Sequence, residues 1–159
     1  MIAWLTGSWL GKMILTFFVS MVPVLELRGG IPMGVAWGLP IPHAVIAATL
    51  GNIVPGPFIV IFIRRIFNWL RTKSSWLEQR VQWLEHRAEK KQDVVLRYAS
   101  LGLFLLVAIP LPGTGIWTGA LVAGLMDIRL KNAFPALALG VCAASAIVTF
   151  LTYGVVRLV

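Results

Sequence analysis

This chain is poor in charge, in acid and in cysteine. Only 13% of its 159 residues are Asp, Glu, Lys or Arg, about half the share of a soluble domain. Hydrophobic residues make up 58%, and the mean hydropathy is +0.86. An ordinary soluble domain is excluded; the class is integral membrane, near the size of a single domain. The single cysteine, Cys142, excludes an internal disulfide. It lies in Gly-Val-Cys-Ala-Ala-Ser, where close helix packing is expected. There are two histidines, His43 and His86, and six carboxylates. None falls at metal-ligand spacing with another, and no nucleophile has a base nearby, so no metal, no cofactor and no enzyme activity are expected. Both histidines are expected at the surface. No basic leader or cleavage site precedes the first apolar run, so residue 1 is expected to belong to the mature protein. The apolar runs are continuous and do not alternate with polar residues, which predicts helices and excludes membrane strands.

The charge that is present is concentrated. Nine of the 14 Lys and Arg residues lie between Arg64 and Arg97. The positive-inside bias predicts a cytoplasmic segment over 64–93, held against anionic lipid. Trp69, Trp76, Leu77, Val81, Trp83 and Leu84 alternate there with Arg, Lys and Glu, as in an amphipathic helix lying in the headgroups. Flanking membrane segments argue against nucleic acid as a partner.

Two uncharged runs are long enough to cross a bilayer: 41–63, with a kink expected at Pro55-Gly-Pro57, and 132–156. Each follows a shorter pair of apolar stretches split by proline and glycine. The first break is Glu26-Leu-Arg-Gly-Gly-Ile-Pro32, between 13–25 and 33–39. The second is Pro110-Leu-Pro-Gly-Thr-Gly115, between 94–109 and 116–126. Gly30-Ile31 and Gly34 align with Gly115-Ile116 and Gly119; Gly38-Leu39 aligns with Gly124-Leu125 after one insertion, and Leu50-Gly51 with Leu139-Gly140. The pattern predicts one unit stated twice, over 1–63 and 94–159, joined by 64–93. If 94–126 enters and leaves from the cytoplasm, Arg97, Arg129 and Lys131 all stay on that side. The equivalent hairpin, about 12–39, then enters from the opposite face. The expected fold is all-α: two inverted repeats, each a re-entrant helical hairpin plus a transmembrane helix, with the breaks meeting near the midplane. Little core is enclosed, so a homodimer is expected.

The candidate site lies at those breaks. Glu26 and Arg28 stand in a stretch with no other charge between Lys12 and Arg64, and charges at membrane depth mark partners or transport paths. Burial favours the protonated form of a carboxyl group and an adjacent guanidinium the ionised form, so Glu26 is either a proton carrier or half of a static pair. Arg28 either clamps an anionic head group with its planar fork or neutralises Glu26. Gly29, Gly30 and Pro32 shape the first break, with amides expected to face an anion at a helix start. Pro110, Pro112, Gly113, Thr114, Gly115, Trp117 and Thr118 form the second. Its hydroxyls, indole and flexible backbone are expected to line a ligand site, with bent-helix packing as the alternative. Asn52 either bridges to a hairpin tip or joins helices. Arg97 is expected to extend toward the cytoplasm.

The two breaks, with Trp117-Thr118-Gly119, resemble those of the small multidrug export protein family over nearly the whole chain. The layout is more distantly similar to the DedA/VTT membrane protein superfamily. That second resemblance implies paired re-entrant hairpins and transport of lipids such as polyprenyl phosphates, dependent on proton-motive force. Glu26 matches the acidic residue of that superfamily's first hairpin. Its arginines around the second hairpin are not matched: the tip has none, and only Arg97 precedes it. The expected function is a proton-coupled transporter of an amphiphilic anionic substrate, in the inner (plasma) membrane, multi-pass, with membrane lipids around it. Efflux of small cationic compounds is the alternative, and a membrane assembly or scaffold protein without transport is the alternative of another class.

Overall fold

A computed structural model describes residues 7–73, 92–111 and 113–154. The described residues are helical and contain no strand: α1 (Trp9–Met21), α2 (Glu26–Ala36), α3 (Ile41–Ile53), α4 (Pro55–Lys73), α5 (Gln92–Ala108), α6 (Ile116–Leu125) and α7 (Leu130–Thr149), which runs on as a π-helical turn, Phe150–Gly154. Ile41–Ile63 and Leu130–Gly154 are each long and apolar enough to cross a membrane. Large apolar side chains stand exposed along both, among them Phe58, Phe62, Leu139 and Phe150. At Val54, just before the Pro55-Gly-Pro57 where a kink is expected, the helix is interrupted for one residue and α3 gives way to α4, while the backbone keeps helical angles, φ −55° and ψ −47°. Of the basic segment 64–93, α4 carries the backbone to Lys73; residues 74–91 lie outside the described residues, as does the Arg97 side chain.

The first break is displaced from its expected place. Residues 26–32 are helical, inside α2, and the chain is irregular at 22–25 instead. Proline lacks an amide hydrogen and disfavours a helical residue before it. Pro23 accordingly ends α1, and Val22 is extended with ψ 129°. The glycines of α2 are there for close approach. A side chain at Gly34 would meet Thr16 and Ala44, and one at Gly30 would meet Ser20 and Ala48. Thr16 and Ser20 are fully buried, and their hydroxyls donate to the carbonyls of Lys12 and Thr16, at 2.8 and 2.7 Å. The Gly29 amide is spent on the Leu25 carbonyl at 2.8 Å, so it does not face an anion as expected.

The corners that follow α2 and α6 are built alike. In the first, Trp37, Gly38 and Leu39 donate to the carbonyls of Met33, Val35 and Gly34. In the second, Met126, Asp127 and Ile128 donate to those of Val122, Gly124 and Ala123. Gly38 and Asp127 both have positive φ, +88° and +52°, as a helix C-terminus of this type needs. Leu39 and Ile128 are buried just beyond them. Pro40 and Arg129 then start α3 and α7 with nearly the same dihedrals. The corners lie at opposite ends of the Ile41–Ile63 helix: Pro40 begins it, while Gly124 packs on Ile63 at its far end. Ile41, Pro42 and Val45 share a groove with Thr149, Phe150 and Tyr153, so the two long helices run antiparallel.

Exposed Arg65, Arg129 and Lys131 therefore gather at one end of the molecule. At the other, Lys12 reaches Gly38, and His43, half-buried instead of at the surface, meets Trp9 edge-on at 5.4 Å. Cys142 is exposed on α7, and its neighbours Gly140, Val141 and Ala144 make the packing.

Candidate functional site at the meeting of the two breaks

The second break holds itself together through one hydroxyl. Thr114 Oγ1 lies 2.8 Å from the carbonyls of both Ile109 and Leu111, to either of which it donates, and it accepts from the Leu111 amide at 3.1 Å. Thr118 Oγ1 donates to the Gly113 carbonyl at 2.7 Å. Pro110 is half-buried at the entry; Pro112 lies outside the described residues. Gly115 leads into α6 with φ +153° and ψ −166°, a region open in practice only to glycine.

Arg28 crosses from α2 to this loop. One of its terminal nitrogens donates to the Leu111 carbonyl, and the other to the Thr114 carbonyl at 2.5 Å and to Thr114 Oγ1 at 3.2 Å. Glu26 crosses with it. Its carboxylate presses on the α-carbon of Gly115, so that a side chain there would collide with it. The backbone N–H of Trp117 lies close enough to that carboxylate to attract it electrostatically. Glu26 thus places its carboxyl group at the start of α6, where the cap residue Gly115 has no side-chain acceptor of its own and the helix end favours negative charge. The indole N–H of Trp117 completes the junction by donating to the Met21 carbonyl at 3.1 Å.

Glu26 is only 7% exposed and has φ +47°. A non-glycine residue held there costs about 1–3 kcal/mol, and such strain collects at functional sites. The structure therefore brings together Glu26, Arg28, Thr114, Gly115 and Trp117. It leaves Gly113 and Thr118 in the loop's own bracing. Gly30 stands against α1, and Pro32 lies inside α2. Asn52 is buried on α3 with its Oδ1 unpartnered. The carbonyls of Met21 and Leu111 were missed from sequence; every residue carries a carbonyl, and only the breaks' proximity selects these two.

Trp117 also faces outward, along a groove of about 560 Å³ that it lines with Phe58, Ile59, Phe62, Leu121 and Arg65. Among the described residues no cluster of His, Cys, Asp and Glu could hold a metal ion.

The family model described as "Putative small multi-drug export protein" matches residues 26–147, a stretch that opens on Glu26 and contains both breaks. The chain belongs to this family. Export is a membrane activity, and with the two long apolar helices it marks a membrane protein of a transport class. No curated protein and no solved structure matches the chain.

Proposed function

We propose that this member of the small multi-drug export family is a proton-coupled transporter of an anionic amphiphile, gated by the grip of Glu26 and Arg28 on the second break. The observation that carries this reading is a buried carboxylate and a guanidinium from one half of the chain closing on the backbone of the other. Matching corners at opposite ends of the Ile41–Ile63 helix support two hairpins that enter from opposite faces, the arrangement of alternating-access carriers.

Charge favours an anionic substrate over a cationic one. With Glu26 ionised, the pair carries no net charge; with Glu26 protonated, it carries +1. It is never negative, so a lipophilic cation gains nothing from it, whereas an anionic head group gains when the proton arrives. Three of the five N–H donors of Arg28 are engaged, which leaves two for a phosphate or carboxylate. The apolar groove from Trp117 to Arg65 suits the tail. In the closed state ionised Glu26 holds the Trp117 amide. Protonation weakens that acceptor, loosens the start of α6 and frees Arg28 to turn to the head group.

Purified protein in liposomes, offered polyprenyl phosphates, anionic phospholipids and cationic dyes across a pH gradient, tests this. Wild-type protein is expected to move an anionic amphiphile in a proton-dependent way. Arg28→Ala is expected to lose binding and transport, and Glu26→Gln to bind but transport at background. Movement of cations alone, or wild-type rates in both variants, would overturn the reading, the latter in favour of a scaffold.

A further inference from the structure

The register of α2 on α3 bears on Glu26. The α2 and α3 helices pack antiparallel with their small residues in register: Gly34 lies against Ala44, and Gly30 against Ala48. Extended by one turn along each helix, that register pairs the level of Glu26, the first residue of α2, with that of Asn52. At the two earlier levels α1 supplies a hydroxyl, Thr16 and then Ser20. At the third, α1 has ended at Met21, and Gly115 of the second break abuts the carboxylate instead. Glu26 therefore meets the second break on one side, and the register sets α3 on the other.

Asn52 is 1% exposed, and its Oδ1 has no hydrogen-bond partner. A buried acceptor left unmet costs about 1–3 kcal/mol. Thr49 Oγ1, one turn earlier, is also unpartnered, but a threonine hydroxyl can rotate to the carbonyl four residues back. An amide oxygen inside a helix has no such recourse, because the amides around it are taken by the helix. It needs a donor from outside, and a protonated carboxyl group supplies one.

We infer that Glu26, once protonated, turns from the Trp117 amide and donates its proton in a hydrogen bond to Asn52 Oδ1, which makes Asn52 the residue that positions the loaded carrier. This rests on the proposed proton-carrying role of Glu26. Of the charged or titratable side chains that the surrounding helices carry among the described residues, Cys142 on α7 is exposed, and Arg129 and Lys131 stand exposed at its start, the end away from Gly38. Arg28 shares α2. Lys12 of α1 lies at the far end against Gly38. His43 of α3 lies beside Trp9, and Tyr153, beyond α7, faces Ile41 and Pro42 at that same end. The second break and α6 bring none. The partner exchange ties proton arrival to the release of α6: the carboxyl leaves one half of the chain as it engages the span of the other.

Infrared difference spectroscopy of the full-length protein in lipid, stepped between alkaline and acid pH, tests this. The protonated carboxyl of Glu26 is expected to give a carbonyl band that Glu26→Gln abolishes. In Asn52→Leu, and in Asn52→Ala should the larger residue fail to fold, that band is expected at higher frequency, since the hydrogen bond is lost. A band that Glu26→Gln abolishes but that both Asn52 variants leave in place overturns the role of Asn52 while leaving the proton carrier standing. Absence of any band sensitive to Glu26→Gln overturns both.

Discussion

Gly115 carries the tightest constraint at the scale of single residues. Its backbone lies where only glycine is comfortable, and the Glu26 carboxylate occupies the space a side chain would need. Gly115→Ala is expected to lose about 1–3 kcal/mol to backbone strain alone, and transport with it, because the carboxylate must move off the start of α6. Gly102 is the control: it is helical, with open space where a side chain would go. Gly102→Ala is expected to be neutral or to gain up to about 1 kcal/mol. Unfolding of the purified protein in detergent measures both; equal effects would contradict the account. Sequence alone singled out Gly115 and Glu26 but not their contact. Isolation at membrane depth marks Glu26 as costly, and a proline–glycine loop marks Gly115 as special. Only tertiary structure sets one against the other. Asn52 was visible as a polar residue in an apolar run, yet its level beside Glu26 depends on the register of α2 on α3, which composition does not reveal.

Among elements, glycines in both halves let helices approach closely. Gly34 packs on α1 and α3 through Thr16 and Ala44, and Gly119 packs on α5 and α7 through Val107 and Leu137. Gly51 lets the Phe17 carbonyl of α1 approach α3, and Gly140 lets the Phe104 carbonyl of α5 approach α7. Gly51→Ala and Gly140→Ala are each expected to force a helix pair apart and to cost about 1–3 kcal/mol, as a lowered unfolding temperature; a wild-type value in either would contradict the shared packing. The glycines themselves were visible in the sequence, but which helices each lets together was not. Nor was the start of α2. Glycine and proline suggested a break over 26–32, but here the glycines serve helix packing, and packing overrides their weak helix propensity. The corners were legible only in part: Gly38 was aligned with Gly124, one residue before the helix end, whereas Asp127 takes the equivalent backbone conformation.

For the whole molecule, the account makes the two halves one device, closed when Glu26 is ionised and open when it is protonated. The sequence disclosed its frame, since 41–63 and 132–156 nearly coincide with the two long apolar helices. It did not disclose the closure, which consists of backbone groups of the second break held by side chains of the first half. The direction with pH follows from the chemistry. An ionised carboxylate is the stronger acceptor, so under the proposed mechanism the grip on α6 is complete at alkaline pH and is lost as pH falls through the titration of Glu26. Hydrogen–deuterium exchange at the Trp117 amide, in lipid and corrected for the intrinsic pH dependence of exchange, reads that grip directly. The account predicts an amide protected in wild-type protein at alkaline pH, released on acidification, and unprotected at every pH in Glu26→Gln. Protection that is indifferent both to pH and to Glu26→Gln would contradict it.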